Sequence, residues 1–356
     1  MTFSLTTVRA RLICRRNRAH HNPPTRLAKE VQMIARRILV AALCTVAALH
    51  AATAMAQTWP TKPIRLMVPF PPGGSTDIVA RIVAQKLGER LGQSIVIENR
   101  GGAGGTLGTT TVAKSAPDGY NLGIASTSTH VVAPGVYARL EYDPVKDFAP
   151  ISLIAVSPYL LVVNPGVPAK SLQELVALAR QQPGKLNYAS AGVGSTTHLS
   201  MEMLKSVSNT YVLHIPYSGN GPAGTAVVAG QVEILFGSLP ALLPHAKSGR
   251  VRALAVGTPK RSPALPDVPT VSESGYAGFD ASLWLAFMAP AGTPQPIIER
   301  LHKEIAAVIA MPSTRESLDK AGAEPLTSTP AELAAMIRDG LPKYAKVIKT
   351  AGVKAE

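Results

Sequence analysis

Strand-like apolar runs alternate with amphipathic segments along most of this chain, and that alternation constrains the fold more than any other feature. Strand signals cover residues 64–70, 94–99, 121–126, 151–156, 159–164, 186–190, 212–216, 233–237, 252–257 and 284–289. Helical spacing fills many of the gaps: Ile78, Ile82, Val83, Leu87 and Leu91 share one face, as do Ile297, Ile298, Leu301, Ile305 and Val308. Ser171-Leu-Gln-Glu174 and Thr329-Pro-Ala-Glu332 have the spacing of capping boxes, the second with proline at the first helical position. This pattern predicts an α/β protein whose mainly parallel sheets are covered by helices on both faces. At 356 residues the chain exceeds one ordinary core. Strand-like connectors around 153–164 and 281–290 read as crossings between two lobes. A discontinuous first lobe (57–157 and 287–356) and an inserted second lobe (158–286) are therefore expected.

The net charge of +14 invites a nucleic-acid reading until it is located. Residues 1–56 hold nine of the 36 basic side chains and one of the 22 acidic ones, leaving 27 against 21 in the remainder. With 5% aromatic residues and no basic run after residue 56, the footprint of a nucleic-acid partner is missing. The leader instead reads as an export signal: Arg36-Arg37 form a positive n-region, Ile38–Leu49 an apolar h-region, and Ala54-Met55-Ala56 a cleavage site. Residues 33–56 are thus expected to be a cleavable signal peptide, and 1–32 an upstream extension or a long n-region. Cys14 and Cys44 both fall in this leader, so the mature chain is expected to carry neither a disulfide nor a thiolate metal site. Its five histidines (His130, His198, His214, His245 and His302) show no metal-binding spacing, and no cofactor is expected.

In doubly wound sheets, ligands bind where strands end and helices begin. The stretch Pro69-Phe70-Pro-Pro-Gly73-Gly74-Ser75-Thr76-Asp77 is such a turn. Its prolines cannot extend a ladder, its glycines let the backbone turn with bare N–H groups, and its hydroxyl and acidic residues start a helix. The turn reads as an anion cradle. Ser190-Ala-Gly192-Val-Gly194-Ser195-Thr196-Thr197-His198 repeats the device, so that Gly74-Ser75-Thr76 is echoed by Gly194-Ser195-Thr196. A third turn runs through Tyr217 towards Pro222, and a fourth strand ends in the hydroxyl run Ser126–Thr129. Opposed turns of this kind suit a small carboxylate. Asp77 reads as ordering its own loop more than meeting an anion, and His198 as bonding backbone. Motifs for a serine nucleophile elbow, a zinc protease or a Walker loop are missing, and the glycines of 101–108 miss the dinucleotide spacing.

Six ordered motifs resemble one family closely. They are residues 69–77, Asn99-Arg-Gly-Gly-Ala-Gly-Gly105, Ala116-Pro-Asp-Gly-Tyr120, Tyr188–Leu199, Leu265-Pro-Asp-Val-Pro-Thr270 and Ala289-Pro-Ala-Gly-Thr-Pro294. They are similar to those of the substrate-binding receptors of tripartite tricarboxylate transporters, the Bug proteins. The resemblance implies a two-lobed periplasmic binding protein of type 2, a "Venus flytrap". Such a protein closes on a small carboxylate and docks as a monomer to membrane permease subunits. It also implies ligand contacts from Phe70, Gly73, Gly74, Ser75, Thr76 and Asp77, with Ser126 and Thr127 behind them. The second lobe would offer Ser190, Gly192, Gly194, Ser195, Thr196, His198 and Tyr217. Ala226 and Leu285-Ala286 depart from the family pattern at the far end of the pocket. Two alternatives keep the same pocket: a ligand-sensing partner of a membrane sensor kinase, and a carboxylate-processing enzyme.

Overall fold

The computed structural model describes Met33 and residues 59–353. The export-signal reading falls on residues outside that range. β1 (Ile64–Val68) buries four of its five side chains and stops at Pro69, as the missing amide hydrogens demand. It is followed by α1 (Ser75–Leu91), β2 (Ile95–Asn99), α2 (Thr106–Ala113), β3 (Asn121–Ser126), a π-type turn at Ser128–Val132 and α3 (Ala133–Val136). Then come β4 (Phe148–Val163), α4 (Leu172–Gln181), β5 (Asn187–Ser190), α5 (Thr196–Ser208), β6 (Leu213–Pro216) and α6 (Asn220–Val228). The chain closes with β7 (Ile234–Ser238), α7 (Leu239–Lys247), β8 (Arg252–Val256), β9 (Ser282–Pro290), α8 (Gln295–Ala310), α9 (Pro312–Ala321), β10 (Glu324–Pro325) and α10 (Pro330–Ala351).

The strands lie in the order β2-β1-β3-β9-β4-β7-β5-β6, with β8 and β10 also paired to β4. Two triplets are parallel: β2, β1 and β3 in one half, β6, β5 and β7 in the other. Between them β4 and β9 run antiparallel to their neighbours. The sheets are therefore mixed, and the expectation of mainly parallel pairing holds only within each triplet. The cause is the pair of return strands. β4 is one 16-residue strand where the sequence reads as two, 151–156 and 159–164. Its residues from Phe148 to Pro158 pair with β9, and Tyr159 to Val163 pair with β7 and β8. Pro158 marks the change of partner, and register shifts follow Pro150 and Leu153, where the ladder accommodates a strand that contains proline. The result is a two-lobed α/β fold with helices packed against both sheets, and Leu66, Ile154, Leu161 and Phe287 wholly buried in its core.

Of the two expected capping boxes, only the second is complete. Thr329 accepts from Glu332 N while the Glu332 carboxylate accepts from Thr329 N. At α4, Ser171 caps Glu174 N, but the Glu174 carboxylate takes the amide of Lys170 instead. Parallel strands within a triplet end on the same side, so the turns after β1 and β3, and those after β5, β6 and β7, are delivered together.

Candidate functional site

These turns and the glycine-rich turn after β2 meet and interlock. A Cβ on Gly104, which sits at φ 63°, would lie 2.6 Å from Val193 O in the second turn. A Cβ on Gly219 would lie 2.6 Å from Pro71 Cδ in the first. Neither position admits a side chain without pushing the turns apart. The glycine-rich run 101–105, which tempts as a dinucleotide loop, serves here as a close-packing surface.

In the first turn, Asp77 is the organiser. It is 3% exposed, and its carboxylate accepts from Gly73 N (3.0 Å), Asn99 Nδ2 (2.9 Å) and Arg81 Nε (3.0 Å). Asn99 also donates to Phe70 O at 2.9 Å, tying the strand end to the same centre. Burial pushes the Asp77 carboxyl up, but Arg81, the Gly73 amide and Asn99 together outweigh it and hold the group below its ordinary value. One expectation is corrected, since the Gly73 amide is not bare, while Asp77 orders its own loop as the sequence reads. Phe70 is buried with its ring against Gly105. Gly74 is the N-cap of α1 and supplies no side-chain cap. Ser75 and Thr76 are buried beside it, and Ser75 Oγ has no hydrogen-bond partner.

The second turn satisfies itself. Ser195 caps α5 by accepting from His198 N (3.3 Å) and donates to Gly192 O (2.6 Å). Gly192 N donates to Ser190 Oγ (3.1 Å), which is 2.6 Å from His214 Nε2. Gly194 N reaches His198 Nδ1 at 3.4 Å. The bare amides expected at Gly192 and Gly194 are therefore also corrected: each is taken within the turn. His198 does bond backbone, and its ring stacks on His214 at 4.0 Å with planes 8° apart, Tyr188 continuing the stack. Burial, then the nearby Lys205 charge, lowers His198 to about 4. Burial and His198 lower His214 to about 4 as well, Glu202 opposing. Both rings are neutral near pH 7.

Hydroxyls link the two halves. Ser128 Oγ accepts from Thr196 N (3.0 Å) and lies 2.5 Å from Thr196 Oγ1, which also meets the Tyr159 hydroxyl. Ser126 is tied to Thr129 by N–H···Oγ1 at 3.1 Å, and Thr127 Oγ1 accepts from Trp284 N at 2.9 Å, so Thr127 braces β9. Tyr217 N donates to Ser190 O at 3.1 Å, while its ring packs on the β4–β7 core. The turns are thus brought together, but Thr127 is spent on β9, the Tyr217 ring packs on the core, and most of the remaining donors are already paired. The sequence assigns no site role to Arg81, Asn99, Ser128, Tyr159 or His214; Arg81 shares α1 with Asp77, and the others come from other elements. Of these, Asn99 and Ser128 stand within motifs that the sequence makes legible.

The family described as the tripartite tricarboxylate transporter family receptor matches residues 79–353. The chain belongs to this receptor family. It is 39% identical over 305 residues to protein BugT of Bordetella pertussis, covering 85% of this chain and 94% of that one. Among solved structures, this receptor superposes with a TM-score of 0.81 on an R. palustris protein solved with adipate. The two are 38% identical, with 83% of this chain and 99% of the other covered. MatC from Rhodopseudomonas palustris, solved with bound malate, gives a TM-score of 0.78 at 35% identity, with 82% and 100% covered. In this family member, the turn residues described above occupy the carboxyl ends of the parallel strands, where an α/β receptor places its ligand.

Proposed function

We propose that this chain is a periplasmic solute receptor that captures a small carboxylate between two lobes and delivers it to a tripartite tricarboxylate-type permease. It acts as a monomer, and it binds its ligand without chemical turnover. The lobes comprise 57–157 with 287–356, and 158–286, so that closure brings the first turn against the second and the shape change reports occupancy to the membrane partner. One observation carries the reading: the N-terminus of α1 has no side-chain cap, and the buried Ser75 hydroxyl beside it lacks a partner. A helix N-terminus favours an anion by about 0.3–1 kcal/mol, up to ~2 when partly buried, and a hydrogen bond to a charged group contributes roughly 1.5–3 kcal/mol. The relatives solved with adipate and with malate support the ligand class.

A thermal-shift screen tests this. A carboxylate at about 100 times its dissociation constant stabilises the receptor by roughly 2.7 kcal/mol. Hits are expected among mono- and dicarboxylates. A screen in which sugars or neutral amides shift the melting temperature and carboxylates do not would overturn the proposal.

A further inference from the structure

A second hydroxyl shares the condition of Ser75. Ser238 is wholly buried, stands at the N-terminus of α7, makes no capping bond, and leaves its Oγ without a partner. A buried hydroxyl without a partner costs free energy, so each such group in a native fold needs an explanation. The two are neighbours in the fold. Ser238 ends β7, whose residues run parallel to β5, so it lies at the same sheet edge as the second turn. α7, which Ser238 begins, packs against α1, which Ser75 begins. Asn220 stands between them: its Oδ1 accepts from Ser238 N at 3.4 Å, and its Cβ lies 3.9 Å from where a Cβ on Gly74 would be.

We infer that Ser238 is the distal ligand contact of the receptor, donating to a second carboxylate while Ser75 and the α1 N-terminus hold the first. The inference rests on the carboxylate reading above and narrows it to dicarboxylates. Two uncapped helix N-termini of opposite lobes each offer positive potential to one anionic end. A ligand charged at both ends would satisfy both hydroxyls at once and tie the lobes together. A monocarboxylate would leave Ser238 as it stands in the ligand-free protein, so the preference comes from the bond that only a second carboxylate gains.

The test is isothermal titration of the full mature receptor with straight-chain dicarboxylates from succinate to suberate, and with monocarboxylates of matching length. Wild type is expected to prefer its best dicarboxylate by about tenfold or more. Ser238→Ala should erase most of that preference and leave monocarboxylate affinity unchanged. Ser75→Ala should weaken both series. Because Ser238 has no internal partner, Ser238→Ala should melt at or above the wild-type temperature without ligand. A lower melting temperature would reveal a structural role and overturn the assignment. So would a preference that survives in Ser238→Ala, while carboxylate binding itself stands. If wild type binds neither series, the carboxylate reading fails and this one falls with it.

Discussion

The first and second turns look alike in sequence and are built differently. By sequence, Gly74-Ser75-Thr76 aligns with Gly194-Ser195-Thr196. By helix position the match is one residue out: the N-cap of α1 is Gly74, and the N-cap of α5 is Ser195. Ser75 therefore corresponds to Thr196, and Asp77 to His198. Both of the latter occupy the third helical position and reach back to the amide before the cap, Gly73 and Gly194 respectively. The difference lies at the cap. Ser195 spends its hydroxyl within its own helix, whereas Gly74 has none to spend. What sits at Thr196 is a hydroxyl pinned by Ser128 and Tyr159, while its counterpart Ser75 is free. One turn is closed upon itself and the other is left with capacity for a ligand.

The largest way to stress this contrast is acid. His198 and His214 are held neutral to about 4, and burial lowers His130 to about 3. An unfolded chain takes up these protons near pH 6.5, so the unfolded state binds more protons and stability must fall as pH drops from there to about 4. The expected slope in denaturant titrations is that of these three groups with a smaller share from His245, which burial and Arg250 also lower. His198→Gln with His214→Gln should reduce it to the contributions of His130 and His245. An unchanged slope would show that the stack does not titrate as described.

Next in size is the organiser of the first turn. Asp77→Ala strands Asn99, Arg81 and the Gly73 amide, and we expect a loss of about 2 kcal/mol, below the range for a fully buried pair because Arg81 is half exposed. The folded carboxyl lies below its unfolded value, so its contribution is complete above about pH 4 and fades as pH falls through the folded value. Equilibrium unfolding of wild type and variant should therefore converge in acid and differ at neutral pH. Smallest is an exchange of caps. Gly74→Ser meets only ordinary contacts, with Pro71 O 3.7 Å from the new Cβ, and should stabilise the ligand-free protein by a few tenths of a kcal/mol. It should also weaken carboxylate binding about tenfold, because the new hydroxyl competes for the α1 amides. Tighter binding in that variant would break the comparison.

Much of the architecture was open to reading from periodicity. β1 to β3 and β5 to β9 fall within two residues of their apolar runs, since prolines and glycines punctuate them. β10 escaped because two residues, Glu324 and Pro325, carry no period. β4 reads as two apolar runs because Ser157-Pro158 separates them, yet the missing donor of Pro158 falls where the partner changes. The candidate site was legible as a set of turns but not as a wiring. Arg81 looks like a solvated face until Asp77 is seen four residues before it, and His214 lies on a short strand with nothing local to mark it. The echoed glycine–serine–threonine misled by one residue because backbone dihedrals, not spelling, decide where a helix begins.

The long fourth strand has a mechanical meaning. A rib stitched into both halves, with the start of β9 crossing beside it, would act as a torsion bar, and a jaw-like motion would twist it around Pro158 and Tyr159. Such a rib also welds the thermal fates of the halves, because neither can fray its sheet without loosening the edge that the other depends on.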